Sequence, residues 1–271
     1  MTPEPLNHFT PEEEPLPKPF IIGITNDVHG AGSTTTAKHL AHLFEFCYQD
    51  PGNAIRQMAV DQGYATDPED DEGVLRFEKE VVSKEPNIDI KLDAAVISKA
   101  LEGNCVIEGT AAVILTKAGL IPSDQQFSMT ETAIPVFTAL LTCDEKVAAQ
   151  RALLRKKLRR QGIDPLSSSP TLHQQIIQTL AEEDIRAQMD LSHQRKETTR
   201  QNWERLYRLS ALEKGRGAFD LPPIDTTNLT PEQVVEKVII ALADKSLISQ
   251  EKAAEAKTKL SKLLSSTQNP H

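Results

Sequence analysis

One stretch constrains this 271-residue chain more than any other: Phe20-Ile21-Ile22-Gly23-Ile24-Thr25, followed by Asn26-Asp27-Val28-His29-Gly30-Ala31-Gly32-Ser33-Thr34-Thr35. The first six residues are the apolar, β-branched run expected of a strand buried on both faces. After the glycines, Ala37, Leu40, Ala41, Leu43 and Phe44 recur at helical spacing, which predicts a helix from Thr35 to Tyr48. A loop joining a buried strand to a helix N-terminus is where anions are cradled, because backbone N–H groups converge there and the helix dipole adds positive charge. Against the phosphate-loop pattern G-x-x-x-x-G-K-[ST], Gly32 and Thr34 fit. Asp27 stands in place of the first glycine and Ser33 in place of the lysine. Asp tolerates the left-handed conformation well enough for the turn to form.

The rest of the chain alternates in the same way. Cys105-Val106-Ile107-Glu108 and Ile134 to Thr142 read as further strands, and Ile224-Asp225 as a short last one. A basic helix is expected from about Asp144 to Arg160, and 172–212 reads as mainly helical. Thr230-Pro231-Glu232-Gln233 has the cap, N1 proline and third-position Gln of a clean helix start. Strands alternating with helices predict a mostly parallel sheet covered by helices.

Composition narrows the possibilities. Residues 1–19 hold six prolines and the run Glu12-Glu13-Glu14, so they are expected to stay an extended tail. They lack the basic-then-apolar order of a secretory signal, and no apolar run nears the roughly 18 residues a bilayer span needs. The net charge of −9 disfavours a nucleic-acid polymer as partner. Three scattered cysteines, Cys47, Cys105 and Cys143, form no C-x-x-C pair and read as reduced, structural residues, consistent with a cytoplasmic protein. The seven histidines show no metal spacing, and His29 reads as incidental.

With these residues in view, the chain resembles the archaeal-type cytidylate kinases, a family of P-loop nucleoside monophosphate kinases. Several members also lack the loop lysine, and their G-S-G-T-T-T loop is similar to Gly30 to Lys38, GAGSTTTAK. Further collinear likenesses are Gly52 to Arg56, Glu85 to Asp93, Glu102 to Thr110, Leu141 to Arg155, Arg195 to Tyr207 and Asp220 to Val234.

The resemblance implies a P-loop NTPase-type α/β fold, a parallel sheet of about five strands flanked by helices. It implies a kinase-like domain over 20–243, with an acceptor-binding segment around 52–100 and a lid around 151–210; 244–271 is expected as a polar tail. It also implies transfer of the γ-phosphoryl of ATP to CMP or dCMP, with Mg²⁺ as cofactor. Gly30, Ala31, Gly32, Ser33, Thr34 and Thr35 would bind ATP, Arg56 and Asp93 the acceptor, and Thr34 and Glu108 the Mg²⁺. Arg151, Arg155 and Arg195 would be catalytic. A monomer or weak dimer without nucleic-acid or membrane partners is expected.

Departures from the family pattern fall on the acceptor side and the lid. Thr110 and Ala148 stand where arginines are common, Thr199 replaces an Asp, Asn202 an Arg, and Ala94-Ala95 follow Asp93. Two further readings therefore stand beside the first: phosphotransfer to another small acceptor, or a regulatory nucleotide-binding module without catalysis.

Overall fold

The computed structural model describes residues 19–85, 87–123, 126–129, 134–163, 165, 168–207 and 219–267. Five parallel strands form the central sheet: β1 (Ile21–Asn26), β2 (Cys47–Gln49), β3 (Cys105–Glu108), β6 (Val136–Thr142) and β7 (Ile224–Asp225), in the order β2-β3-β1-β6-β7. The sheet centre is apolar on both faces, as a parallel sheet covered by helices requires. Ile22, Val106 and Phe137 lie in one register, as do Gly23, Ile107 and Thr138. A separate antiparallel hairpin, β4 (Leu120–Ser123) and β5 (Gln126–Met129), stands apart from it. The P-loop-type α/β architecture expected from the sequence is the one observed.

Helices α1 (Ser33–Phe44), α9 (Pro231–Asp244) and α10 (Gln250–Thr267) cover one face of the sheet. Helices α4 (Asn87–Ala100) and α5 (Thr110–Lys117) cover the other. Between β2 and α4 the chain forms α2 (Pro51–Asp61) and α3 (Asp71–Phe77), which continues into a π-helical turn at Glu78–Val82. Helices α6 (Glu145–Arg160), α7 (Pro170–Gln178) and α8 (Glu182–Tyr207) follow β6.

Three details differ from the sequence reading. Helix α1 stops at Phe44 because Glu45 takes a left-handed conformation, φ 59°, and the chain turns into β2, an edge strand not anticipated. The polar C-terminal segment forms α10, with Ala253, Ala256 and Leu260 buried against α1 and α9. Cys47 and Cys105 are not free thiols: they sit opposite each other on the parallel strands β2 and β3, Cα atoms 4.5 Å apart, and form a disulfide. Once β2 pairs with β3 in this register, the two side chains meet. Cys143 remains free. The expected N-terminal tail, residues 1–18 of it, lies outside the described residues, as does 208–218, which takes in the end of the expected lid.

Candidate functional site

The loop after β1 is held in shape by two left-handed glycines. Gly30 has φ 105°, and a Cβ there would lie 2.4 Å from the Ala148 carbonyl oxygen at the start of α6. Gly32, φ 98°, is the residue before α1, and no side chain caps that helix. The first N–H groups of α1 are thus left to whatever occupies the cavity in front of them. That cavity, about 280 Å³, is lined by Gly30 through Thr36, with Arg151, Arg155 and Pro231 on its far walls. The six loop residues assigned to nucleotide binding therefore share one cavity.

Glu108, at the end of β3, is the hub beside the loop. Its Oε1 accepts from the Ser33 hydroxyl at 2.7 Å and the Thr34 hydroxyl at 2.8 Å, and its Oε2 accepts from the Tyr48 hydroxyl at 2.7 Å. Asn26 Nδ2 donates to Ser33 Oγ at 2.5 Å, tying the strand end to the same group. Burial raises the Glu108 carboxyl above its ordinary range, helped by nearby Asp50 and opposed by the three hydroxyl donors. Thr34 and Glu108 thus present hard oxygen donors side by side, the chemistry a Mg²⁺ ion takes. Among the described residues no cluster of three or more His, Cys, Asp or Glu is arranged to hold a metal by itself.

The cations expected to be catalytic are divided between partners. Arg151 fastens the segment after β7: its guanidinium donates to the carbonyls of Thr226 (2.8 Å), Thr227 (3.3 Å) and Leu229 (3.4 Å). Arg155 donates to Glu69 at 2.7 Å and to His29 Nε2 at 3.2 Å. Arg195 donates to Asp71 at 3.1 Å and to Glu78 at 3.2 Å. Arg56, the expected acceptor-binding residue, is turned to the Asp71 carboxylate (3.2 Å), the Pro68 carbonyl (2.5 Å) and His29 (3.3 Å).

Asp71 is the pivot of this network, with a side chain wholly shielded from water. Its place is set locally: Asp70 caps α3, and Gly73 lets the helix approach the Tyr64–Ala65 turn, where a Cβ would come within 2.4 Å of backbone. Burial alone would raise Asp71, but the positive charges of Arg195, Arg56 and Lys156 outweigh it and hold the carboxyl far below its ordinary range. His29, which carries no signal in the sequence, accepts from two arginines, Arg56 and Arg155. Burial and the charge of Arg195 push its pKa well below the ordinary value, so it is neutral and able to accept.

A second cavity, about 260 Å³, adjoins the first, and Asn26 and Glu108 line both. Its other walls include Gly52 and Ile55 of α2, Asp89 and Asp93 of α4, and Arg195 and Trp203 of α8. Asp93, the second expected acceptor residue, is buried and accepts from the Tyr207 hydroxyl at 2.5 Å. Burial raises its pKa to about 7, opposed by the Tyr207 bond and reinforced by Asp89. Thr110 closes the floor through a hydroxyl–hydroxyl contact with Thr25.

Tyr48, Glu69, Asp71 and Tyr207 were not singled out by the sequence reading. The dense acidic run Asp67 to Glu72 was the one available signal for two of them.

This is the arrangement of a phosphate-loop domain: a buried strand, a glycine loop, an uncapped helix N-terminus, and a second cavity beside it. The description "AAA domain" is that of the family profile matching residues 28–169, and the chain belongs to that family. It is 30% identical over 90 residues to a cytidylate kinase of Staphylothermus marinus, covering 33% of this chain and 46% of that one. To a cytidylate kinase of Thermococcus kodakarensis it is 31% identical over 102 residues, 38% of this chain and 48% of that one. The chain thus spans about half the length of the curated relatives it matches. Among solved structures it is similar to shikimate kinase from Acinetobacter baumannii in complex with shikimate. That match has 14% identity and a TM-score of 0.41, and covers 85% of this chain and 96% of the other. Shikimate kinase from Bacteroides thetaiotaomicron gives 15% identity and a TM-score of 0.37, over 84% and 99%. No helix among the described residues is long and apolar enough to cross a membrane.

Proposed function

We propose that this protein is an ATP-dependent phosphotransferase of the P-loop nucleoside and nucleoside monophosphate kinase type, acting on a small acceptor held in the second cavity. The observation that carries the reading is the shared wall. Asn26 and Glu108 line both cavities, so a donor phosphate at the N-terminus of α1 and an acceptor in the neighbouring space meet at that wall. CMP and dCMP are the first acceptors to test, because the partial relatives are cytidylate kinases.

Phosphoryl transfer asks a protein mainly to align two reactants and to neutralise charge that develops on the moving group. The backbone of Gly30 to Thr35 and the start of α1 would hold the donor phosphates. Arg155, on the donor side, and Arg195, on the acceptor side, bracket the wall between the cavities. Thr34 and Glu108 would hold Mg²⁺, which would supply positive charge to the phosphate oxygens. Glu108 also orients the Ser33 and Thr34 hydroxyls, and Tyr48 fixes the carboxylate from behind.

The test is calorimetry with ATP and Mg²⁺, followed by measurement of ADP formed with each acceptor. Wild type is expected to bind ATP and form ADP when an acceptor is present. Thr34→Ala is expected to lose about tenfold or more in turnover, the scale of one lost charge-stabilising contact. A second reading, ATP binding without transfer, is favoured by one observation: Arg151 spends its donors on backbone carbonyls. Binding of ATP with no ADP from any acceptor selects it.

A further inference from the structure

Resting on the phosphotransfer reading above, the structure assigns the second cavity an acceptor class: a hydroxyl-bearing small molecule that carries no phosphate. Asp93 is 6% exposed, and among the described residues its hydrogen bond comes from Tyr207 to Oδ2, leaving Oδ1 to the cavity. Glu78, on the same wall, has a buried Oε2 with no hydrogen-bond partner. Asp89, one helical turn before Asp93, has no hydrogen-bonding partner among the described residues and also faces this space. On the same wall, the buried Nε–H of Arg195 is a hydrogen-bond donor that is likewise unpartnered. Buried polar groups left this way cost free energy until a ligand pairs with them. A hydroxyl both donates and accepts, so a ligand with several hydroxyls satisfies this set, and the Trp203 indole gives it a flat wall.

A phosphomonoester does not suit the same walls. Besides Glu108, three acids line the cavity, Glu78, Asp89 and Asp93, against one arginine. Arg195 already gives Nη1 to Asp71 and Nη2 to Glu78, so a phosphate would compete with two carboxylates for this guanidinium. The cations just outside are held by other carboxylates, Arg56 and Lys156 by Asp71, and Arg155 and Arg159 by Glu69. Crowded acids also raise one another: Asp89 stands at about 6 through burial and Glu78, with Arg205 opposing. In the reaction, the acceptor hydroxyl oxygen bonds to the γ-phosphorus and the bond from that phosphorus to the bridging oxygen breaks. ADP leaves with the electron pair, and the hydroxyl proton is released to water.

The test pairs each acceptor with its own phosphate. The full chain with ATP and Mg²⁺ is given cytidine, deoxycytidine, uridine and adenosine, each beside its 5′-monophosphate, then myo-inositol and glucosamine. At least one phosphate-free member is expected to raise ADP formation about tenfold above ATP alone, with every monophosphate below it. Asp93→Asn and, separately, Asp89→Asn are expected to raise KM for that acceptor about tenfold or more, the cost of a lost specific hydrogen bond in such a site, while the Kd for ATP moves less than about twofold. A monophosphate turned over faster than every phosphate-free member overturns the assignment, as does a panel in which none of these raises ADP formation. Absence of ATP binding by wild type is a different result, and it removes the phosphotransfer reading itself.

Discussion

Asp71 and Asp93 are both buried carboxylates, yet their surroundings drive them in opposite directions. Asp71 is surrounded by Arg56, Arg195 and Lys156 and lies far below the ordinary range; Asp93 faces one hydroxyl and a second acid and rises to about 7. The linkage signs follow. The stability that Asp71 contributes is fully present above the unfolded value of about 3.9 and is lost as pH falls below it. Asp93, with its pKa raised in the fold, contributes stability below about pH 4 that is lost as pH rises through about 7. Urea unfolding from pH 4 to 8 should show wild type losing roughly 3–4 kcal/mol relative to Asp93→Asn over that window. A pH-independent difference would contradict the buried-acid assignment. Asp71→Asn leaves three cations without their shared carboxylate and should cost about 3–5 kcal/mol at pH 7, read by the same measurement.

Strand β2 and helix α1 show how far local sequence reaches. The β1–loop–α1 unit is legible because each part has its own signal: a β-branched run, paired glycines, and helical periodicity. The start of α9 is equally legible, and its capping box forms as expected, with Thr230 N donating to Gln233 Oε1 at 2.9 Å and Gln233 N donating to Thr230 Oγ1 at 3.3 Å. Three residues of edge strand carry no periodicity, so Cys47 and Tyr48 read as the end of a helix, and neither the Tyr48–Glu108 bond nor the disulfide is visible in the sequence. The partners of Arg155 and Arg195 are illegible for another reason. Glu69 lies 86 residues from Arg155, and Asp71 lies 124 from Arg195; only the folded chain brings them together. The disulfide links positions 58 residues apart and anchors the edge strand that carries Tyr48. Reducing it, or substituting Cys47→Ser, is expected to cost about 2–4 kcal/mol, seen as a lower Tm. Turnover should also fall once β2 loosens, because Tyr48 then no longer holds Glu108; unchanged turnover in the reduced protein would separate the strand from the site.

At the scale of the whole molecule, the phosphate loop is supported from behind by a helix whose composition hides its role. Helix α10 is rich in Lys, Glu and Ala, yet one stripe, Ala253, Ala256 and Leu260, is buried in the same core as Leu40, Leu43 and Phe44 of α1. Small residues allow the close approach, and the charged remainder faces outward, where Lys257 and Lys259 pair with Glu236 and Glu45. Those exposed pairs add little, so the stripe carries the attachment. Burying one Leu and two Ala side chains is worth roughly 3 kcal/mol at the usual value per unit apolar area. Ending the chain after Ser249 removes that contribution and uncovers the apolar back of α1. The truncated protein is therefore expected to melt at a lower temperature and to bind a dye specific for exposed apolar surface. Because α1 meets the cavity at its first turn and α10 at its far end, ATP affinity measured below the melting range should shift less than about threefold, under 1 kcal/mol. A large loss of ATP affinity in a truncated but folded protein would mean that α10 sets the position of the loop itself.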